Sequence, residues 1–134
     1  MSHELALQKG LIAHLKAAPA LDALLAGRIW DAAPETVEHP HLLIGRSESR
    51  PVGADGGGVE QVLTLTCVSR FKGTEEAKAV LSGVRARLAE AMPETDGIRV
   101  VSQGVRFADV YPAADGMRTF AVIRVRAVTE EIGT

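Results

Sequence analysis

The sequence predicts an α+β fold: a mainly antiparallel sheet of four or five strands with two principal helices packed on it. Three observations predict it. Residues 3–18 and 74–92 carry apolar side chains at helical spacing, whereas residues 59–71 and 117–129 alternate with the period of a strand. Clusters of Gly and Pro separate these segments, with short gaps of the kind that join antiparallel neighbours. At 134 residues the chain is expected to be a single domain over 1–134. Size scaling has such a domain bury about two thirds of its unfolded surface, enough for a core without disulfides.

Each element has its own signal. In residues 3–18, Leu7, Leu11, Leu15 and Ala18 fall on one arc with Lys9 and Lys16 opposite. Pro19 opens a short helical turn carrying Leu21, Leu24 and Leu25, which Gly27 stops. Residues 28–32 read as a short strand anchored by Trp30. Residues 33–40 hold two prolines and form a connector, and a second strand begins at His41 and runs toward Arg50. The segment 51–58 (PVGADGGG) has four glycines in eight residues and is expected to be a flexible loop. In residues 59–71, Val59, Gln61, Leu63, Leu65 and Cys67 share a buried face, and Glu60, Val62, Thr64, Thr66 and Val68 a semi-exposed one.

Thr74-Glu75-Glu76 is a helix start with a hydroxyl cap and first-turn carboxylates. Ala77, Val80, Leu81, Val84, Leu88, Ala91 and Met92 line one arc of that helix, and Pro93 is expected to end it. A long C-terminal hairpin, 98–129, turns at residues 112–116. In its last strand Thr119, Ala121, Ile123, Val125 and Ala127 face one way, and Phe120, Val122, Arg124, Arg126 and Val128 the other.

Composition excludes several tasks. A net charge of −2 argues against coating nucleic acid, and five aromatics make a base-stacking platform improbable. A single cysteine excludes an internal disulfide and any cysteine-based zinc site. No segment is suited to crossing a membrane. Ala18-Pro19-Ala20 has the form of a signal-peptide cleavage site, but Glu4 stands where positive charge is needed, and His14 and Lys16 interrupt the apolar run. Synthesis in a reducing cytoplasm is expected.

The residues assemble into no catalytic set. His39 and His41 could converge on a metal, yet no Cys, Asp or Glu stands nearby at ligand spacing, and a solvated strand entry is the plainer reading. His14 reads as a packed or edge histidine. Cys67 falls on the buried strand face, where a thiol acts as a small hydrophobe. Ser47 and Ser49 lack a nucleophile elbow, and the glycines of 53–58 lack the lysine and hydroxyl of a phosphate loop. No enzyme, metal or cofactor is expected.

Arginine outnumbers lysine eleven to four, with Arg106, Arg118, Arg124 and Arg126 concentrated in the C-terminal hairpin. Arginine suits fixed, bidentate contacts. A codon composition rich in Arg and Ala accounts for the same count equally well. An arginine-bearing hairpin beside a glycine loop nevertheless fits a surface that meets other protein, and pairing the sheet edges between copies would remove an association hazard.

The order of signals resembles a known family. Arg28-Ile29-Trp30-Asp31, Pro34 and Pro40-His41-Leu42-Leu43-Ile44-Gly45 come first. Leu63-Thr64-Leu65-Thr66-Cys67-Val68-Ser69-Arg70 follows with Gly73, Glu76 and Ala77, then Arg106-Phe107-Ala108-Asp109-Val110 and the strand from Arg118. Together these are similar to the tail-terminator, or tail-completion, family of long-tailed bacteriophages, in the version carried by gene transfer agents. His41 departs from the aromatic common at that place. The resemblance implies a homo-oligomeric, hexameric ring in the virion that caps the tail tube, stops its polymerisation and joins it to the head. The implied partners are tail-tube protein and a neck or stopper protein, with DNA passing through the channel without specific binding. Catalysis and cofactors are not implied.

Within that frame Arg118, Arg124 and Arg126 are the candidate pairing residues between subunits. Gly53, Asp55, Gly56, Gly57 and Gly58 are the candidate surface that orders on meeting a neighbouring ring. Two other readings stay open: a neck or head-completion ring protein, and a small cytosolic enzyme or ligand-binding domain, which predicts an enclosed polar pocket.

Overall fold

Ser2 caps the first helix, its Oγ accepting the Leu5 N–H at 3.0 Å, and α1 runs over His3–Lys16. In the computed structural model, which describes residues 2–53 and 57–132, the expected short turn is a helix of two turns, α2 (Pro19–Leu25), with Pro at its start. It ends where Ala26 and Gly27 both take positive φ, 48° and 77°. A two-residue strand, β1 (Ile29–Trp30), is shorter than the 28–32 expected.

Four long strands follow. β2 (His41–Val52) and β3 (Gly58–Ser69) form a hairpin. The helix α3 (Glu75–Leu88) then leads to β4 (Ile98–Pro112) and β5 (Thr119–Glu131). The sheet has the order β1-β2-β3-β5-β4, antiparallel throughout except where β1 lies parallel to β2. The α+β architecture is therefore the one the periodicities imply.

Alternation decides which side is sealed. Leu63, Leu65 and Cys67 of β3 and Ala121, Ile123, Val125 and Ala127 of β5 lie together on one side, at most 1% exposed. Helices supply Leu7, Leu11, Leu15, Leu21, Leu25, Val80 and Val84 to the same cluster. Helix packing is close at Gly83, where an added Cβ would meet Leu21 Cδ2 at 2.6 Å and Cγ at 3.0 Å.

Several boundaries differ from expectation, for physical reasons. α3 ends at Leu88 rather than Pro93 because its last carbonyls already have partners. The His14 ring Nε2 donates to Arg87 O (2.9 Å) and Glu90 O (3.1 Å), and Gln103 Nε2 donates to Leu88 O (3.1 Å). His14 is thus a buried terminator of a neighbouring helix. At the other end Thr74 makes no side-chain cap; instead Ser69 Oγ donates to Glu76 Oε1 at 2.8 Å. Phe71 lies beyond β3 and Met117 before β5. The loop expected over 51–58 is shorter, since Pro51 and Val52 pair with Val59 and Gly58 in the hairpin.

The connector after β1 is pinned by Arg28. Its Nε donates to Pro40 O at 2.8 Å, and its guanidinium lies 3.8 Å from Glu38. His41 is buried rather than solvated, bonding Glu38 O through Nδ1 at 3.0 Å and stacking near Trp30 and His39.

The helix crossing gives the first prediction. Gly83→Ala gains about 1 kcal/mol of helix propensity but overpacks Leu21 at a cost of roughly 1–3 kcal/mol. Urea unfolding should show a net loss, whereas Gly104→Ala, where the added methyl meets nothing within 4 Å, should not destabilise.

Candidate functional site

The helices cover one face of the sheet. The opposite face carries Glu48 and Arg50 of β2, Glu60 and Val62 of β3, Arg124 and Arg126 of β5, and Phe107 of β4, as the strand registers require. A β-bulge between Val105 and Phe107 breaks the alternation of β4 and turns two consecutive residues, Arg106 and Phe107, into the same hollow. That hollow, about 420 Å³, is lined by Glu48, Val62, Arg106, Phe107 and Arg124. It adjoins another of about 330 Å³ over Glu48, Ser49, Arg50, Glu60, Val62 and Arg106.

Glu60 is the electrostatic centre of this face. Its two oxygens are divided between two arginines: Arg50 Nε on Oε1 at 2.8 Å and Arg126 on Oε2 at 2.7–2.8 Å. The carboxylate side chain is only 11% exposed, so the guanidiniums cover it. Hydrogen bonds from Arg50 first and Arg126 second hold its carboxyl below the ordinary 4.5, against an opposing effect of desolvation.

The candidate pairing arginines have three different situations. Arg126 is committed to Glu60 within the chain. Arg118 closes the β4–β5 turn, its Nε 2.9 Å from Asp115 Oδ2 and its guanidinium over the Phe120 ring. Asp115 is held below its ordinary 3.8 by the Met117 N–H first, with Arg118 contributing. Arg124 lies over the Phe107 ring, 5.2 Å from its centroid, and is exposed. Among the described residues neither Arg124 nor Arg106 has a carboxylate at ion-pair distance.

Of the candidate glycine surface, Gly53 takes φ 90° at the hairpin tip, Gly57 is exposed and Gly58 belongs to β3. Asp55 and Gly56 lie outside the described residues. The glycine tip and Arg118 are at opposite ends of the strands, the tip at the Val52/Gly58 end and Arg118 at the Ser69/Thr119 end, while Arg126, bonded to Glu60, lies nearer the tip.

At the Ser69/Thr119 end Phe71 and Met117 are 51% and 71% exposed, beside Arg70, Lys72 and Arg118. Among the described residues both edges of the sheet are open: the 15-residue β4 on one side, and the part of β2 past the two-residue β1 on the other. Cys67 is fully buried, and desolvation pushes its thiol up to about 12. No group of three or more potential metal ligands occurs among the described residues, and none of their helices is long and apolar enough to cross a membrane.

Residues 9–130 match the family model described as tail completion protein gp17. The chain belongs to that family. It is thus a tail-completion protein, and the likeness extends to a solved fold. A chain in a structure titled "Virion of native gene transfer agent (GTA) particle" superposes with a TM-score of 0.85 at 20% identity, covering 97% of this chain and 99% of that one. No curated protein sequence matches.

For this tail-completion protein, the sequence marks Arg106, Arg124 and Arg126 as arginines of the C-terminal hairpin but does not join them with Arg50, Glu60 and Phe107 into one surface. For Arg50 and Glu60 a signal was present: they lie opposite each other once the β2–β3 hairpin register is drawn. That Arg106 and Phe107 enter the same hollow had none, because a bulge is a register fault that alternation hides.

The Glu60 cluster makes stability depend on acid. A carboxyl held below 4.5 in the folded chain stabilises it above that pH, and this contribution disappears as pH falls through the folded value. Urea titrations from pH 7 to pH 3 should show Glu60→Gln less stable at pH 7 and with a smaller acid-induced loss than the wild type. The remaining loss reflects Asp115 and Glu4, whose carboxyls are also lowered.

Proposed function

We propose that this tail-completion protein is a tail terminator of the gene-transfer-agent type. It closes a hexameric ring on the end of the tail tube, stops tube growth and presents the surface to which the neck and head join. The observation that carries the reading is the family match over 9–130, and the fold shared with a chain of a gene transfer agent virion supports it.

The geometry is suited to the task. A tube of stacked rings grows because each new ring repeats the surface it covered. A terminator must therefore present unlike surfaces at its two ends. In this fold the strands run between two chemically different ends. One carries the glycine tip and Glu130 and Glu131; the other carries exposed Phe71 and Met117 among Arg70, Lys72 and Arg118. Gly53, Asp55, Gly56, Gly57 and Gly58 are assigned to the contact with an adjoining ring, and Arg118, Arg124 and Arg126, with the open strand edges, to contacts between subunits.

Within a ring, the open edge of β4 and the unpaired part of β2 are the places where a neighbour removes an aggregation hazard. The protein's place is the virion at the head–tail junction. DNA passes through the channel without specific recognition, consistent with a net charge of −2.

Electron microscopy of particles made without this chain tests the reading. Overlong tails without heads are expected. Finished tails of normal length beside heads that leak DNA would assign the chain to the neck and overturn the terminator role.

A further inference from the structure

We infer that the arginine hollow on the open sheet face receives the acidic connector of a second copy of this chain, and that this contact closes the ring. The inference rests on the ring reading and names its contact.

The hollow carries an excess of positive charge, since its one carboxylate, Glu48, lies 3.5 Å from Arg46. Arg50 and Arg126 are satisfied by Glu60, but Arg106 and Arg124 face the same concavity with no carboxylate partner among the described residues. Between them lie Val62 and the 47%-exposed Phe107, which give a partner apolar surface to cover. Arginines beside an exposed aromatic are the usual anchors of a protein contact.

The connector between β1 and β2 has unspent charge of the other sign. Residues 31–36 are six consecutive exposed positions, and they carry Asp31 and Glu35. Glu38 is tied to Arg28, whereas Asp31 and Glu35 pair with nothing among the described residues. Arg28 and Pro40 hold the base of the segment against the sheet, so it is presented on a fixed support. Asp31 and Glu35 can stand at most about 14 Å apart, a span that suits two long side chains on adjacent strands.

Position completes the match. The connector leaves the sheet at the β1 edge, whereas the hollow spans the open face from β2 to β4 with Arg124 and Arg106 on its β5 and β4 side, in the order β1-β2-β3-β5-β4. A contact between these two patches is head-to-tail: one patch of each copy meets a different patch of the next. Repetition of such a contact generates a ring when the rotation closes. Double-stranded DNA could also neutralise Arg106 and Arg124. The self-contact is favoured because Asp31 and Glu35 lie on an exposed segment held at its base by Arg28 and carry the charge opposite to Arg106 and Arg124, and because the hollow contains an apolar floor that a phosphate backbone would leave bare.

The experiment uses assembled particles carrying the double variant Glu35→Cys/Arg106→Cys, treated with a short bis-maleimide. Cys67, being buried, stays silent. A ladder of covalent oligomers that neither single variant gives is the expected result. Particles that hold the protein in several copies yet show no ladder overturn this contact and leave the ring reading standing. Particles with one copy per tail overturn both.

Charge reversal supplies an independent measurement. Arg106→Glu/Arg124→Glu and Asp31→Arg/Glu35→Arg should each lower the yield of finished particles at least about tenfold, and their combination should restore it. Failure of the combined variant to recover, with each parent folded, overturns the pairing. Retention of a double-stranded DNA fragment by the purified chain, abolished by Arg106→Glu/Arg124→Glu with multicopy particles and no ladder, would assign the hollow to the phosphate backbone instead.

Discussion

A five-stranded sheet sealed on one side only is the constraint on which everything else in this protein depends. The three helices among the described residues all contribute to the core on the same face, over Leu63, Leu65, Ile123 and Val125. Burial of that face supplies the hydrophobic driving force and fixes every register, because a one-residue slip of any strand would exchange the buried and open sets. Among the described residues, the opposite face carries no helix, and β4 and the part of β2 past β1 have no strand partner on their outer edges. In an isolated domain such features are liabilities; in a ring component they are the means of assembly.

The open face is stabilised by charge rather than by apolar cover. Glu60, between Arg50 and Arg126, is a carboxylate whose position is fixed by two guanidiniums from two neighbouring strands, so it ties β2, β3 and β5 together across a surface with no helix above it. The same arrangement sorts the arginines. Those bound to Glu60 are structural, while Arg106 and Arg124 extend the positive surface outward beyond the cluster. A shell that is rigid in the centre and unsatisfied at the margin is preorganised for a partner, since little side-chain freedom is left to lose on binding.

Much of this was legible in the sequence. Strict alternation in β3 and β5 marked the two faces residue by residue, and the helical spacing of Leu7, Leu11 and Leu15 marked the first core helix. The illegible features are set by contacts made outside the element concerned. α3 stops early because His14 and Gln103, from other elements, take its terminal carbonyls. Thr74 fails to cap because Ser69 instead engages Glu76. His41 is buried beside Trp30 and His39 and bonded to Glu38 O, with Arg28 holding Pro40 O next to it. The site followed the same rule. Arg124 and Arg126 were visible as an outward-facing pair, but Arg106 and Phe107 joined them only through a bulge, which periodicity cannot register.

The proposed closed ring at one end of a tail has a fixed stoichiometry, which quantitative mass spectrometry of purified particles measures with tail-tube protein as the internal reference. About six copies per tail are expected, unchanged between particles whose tails differ in length. A copy number that rises in proportion to tail length would make the chain a component of the tube wall and rule out the terminal ring.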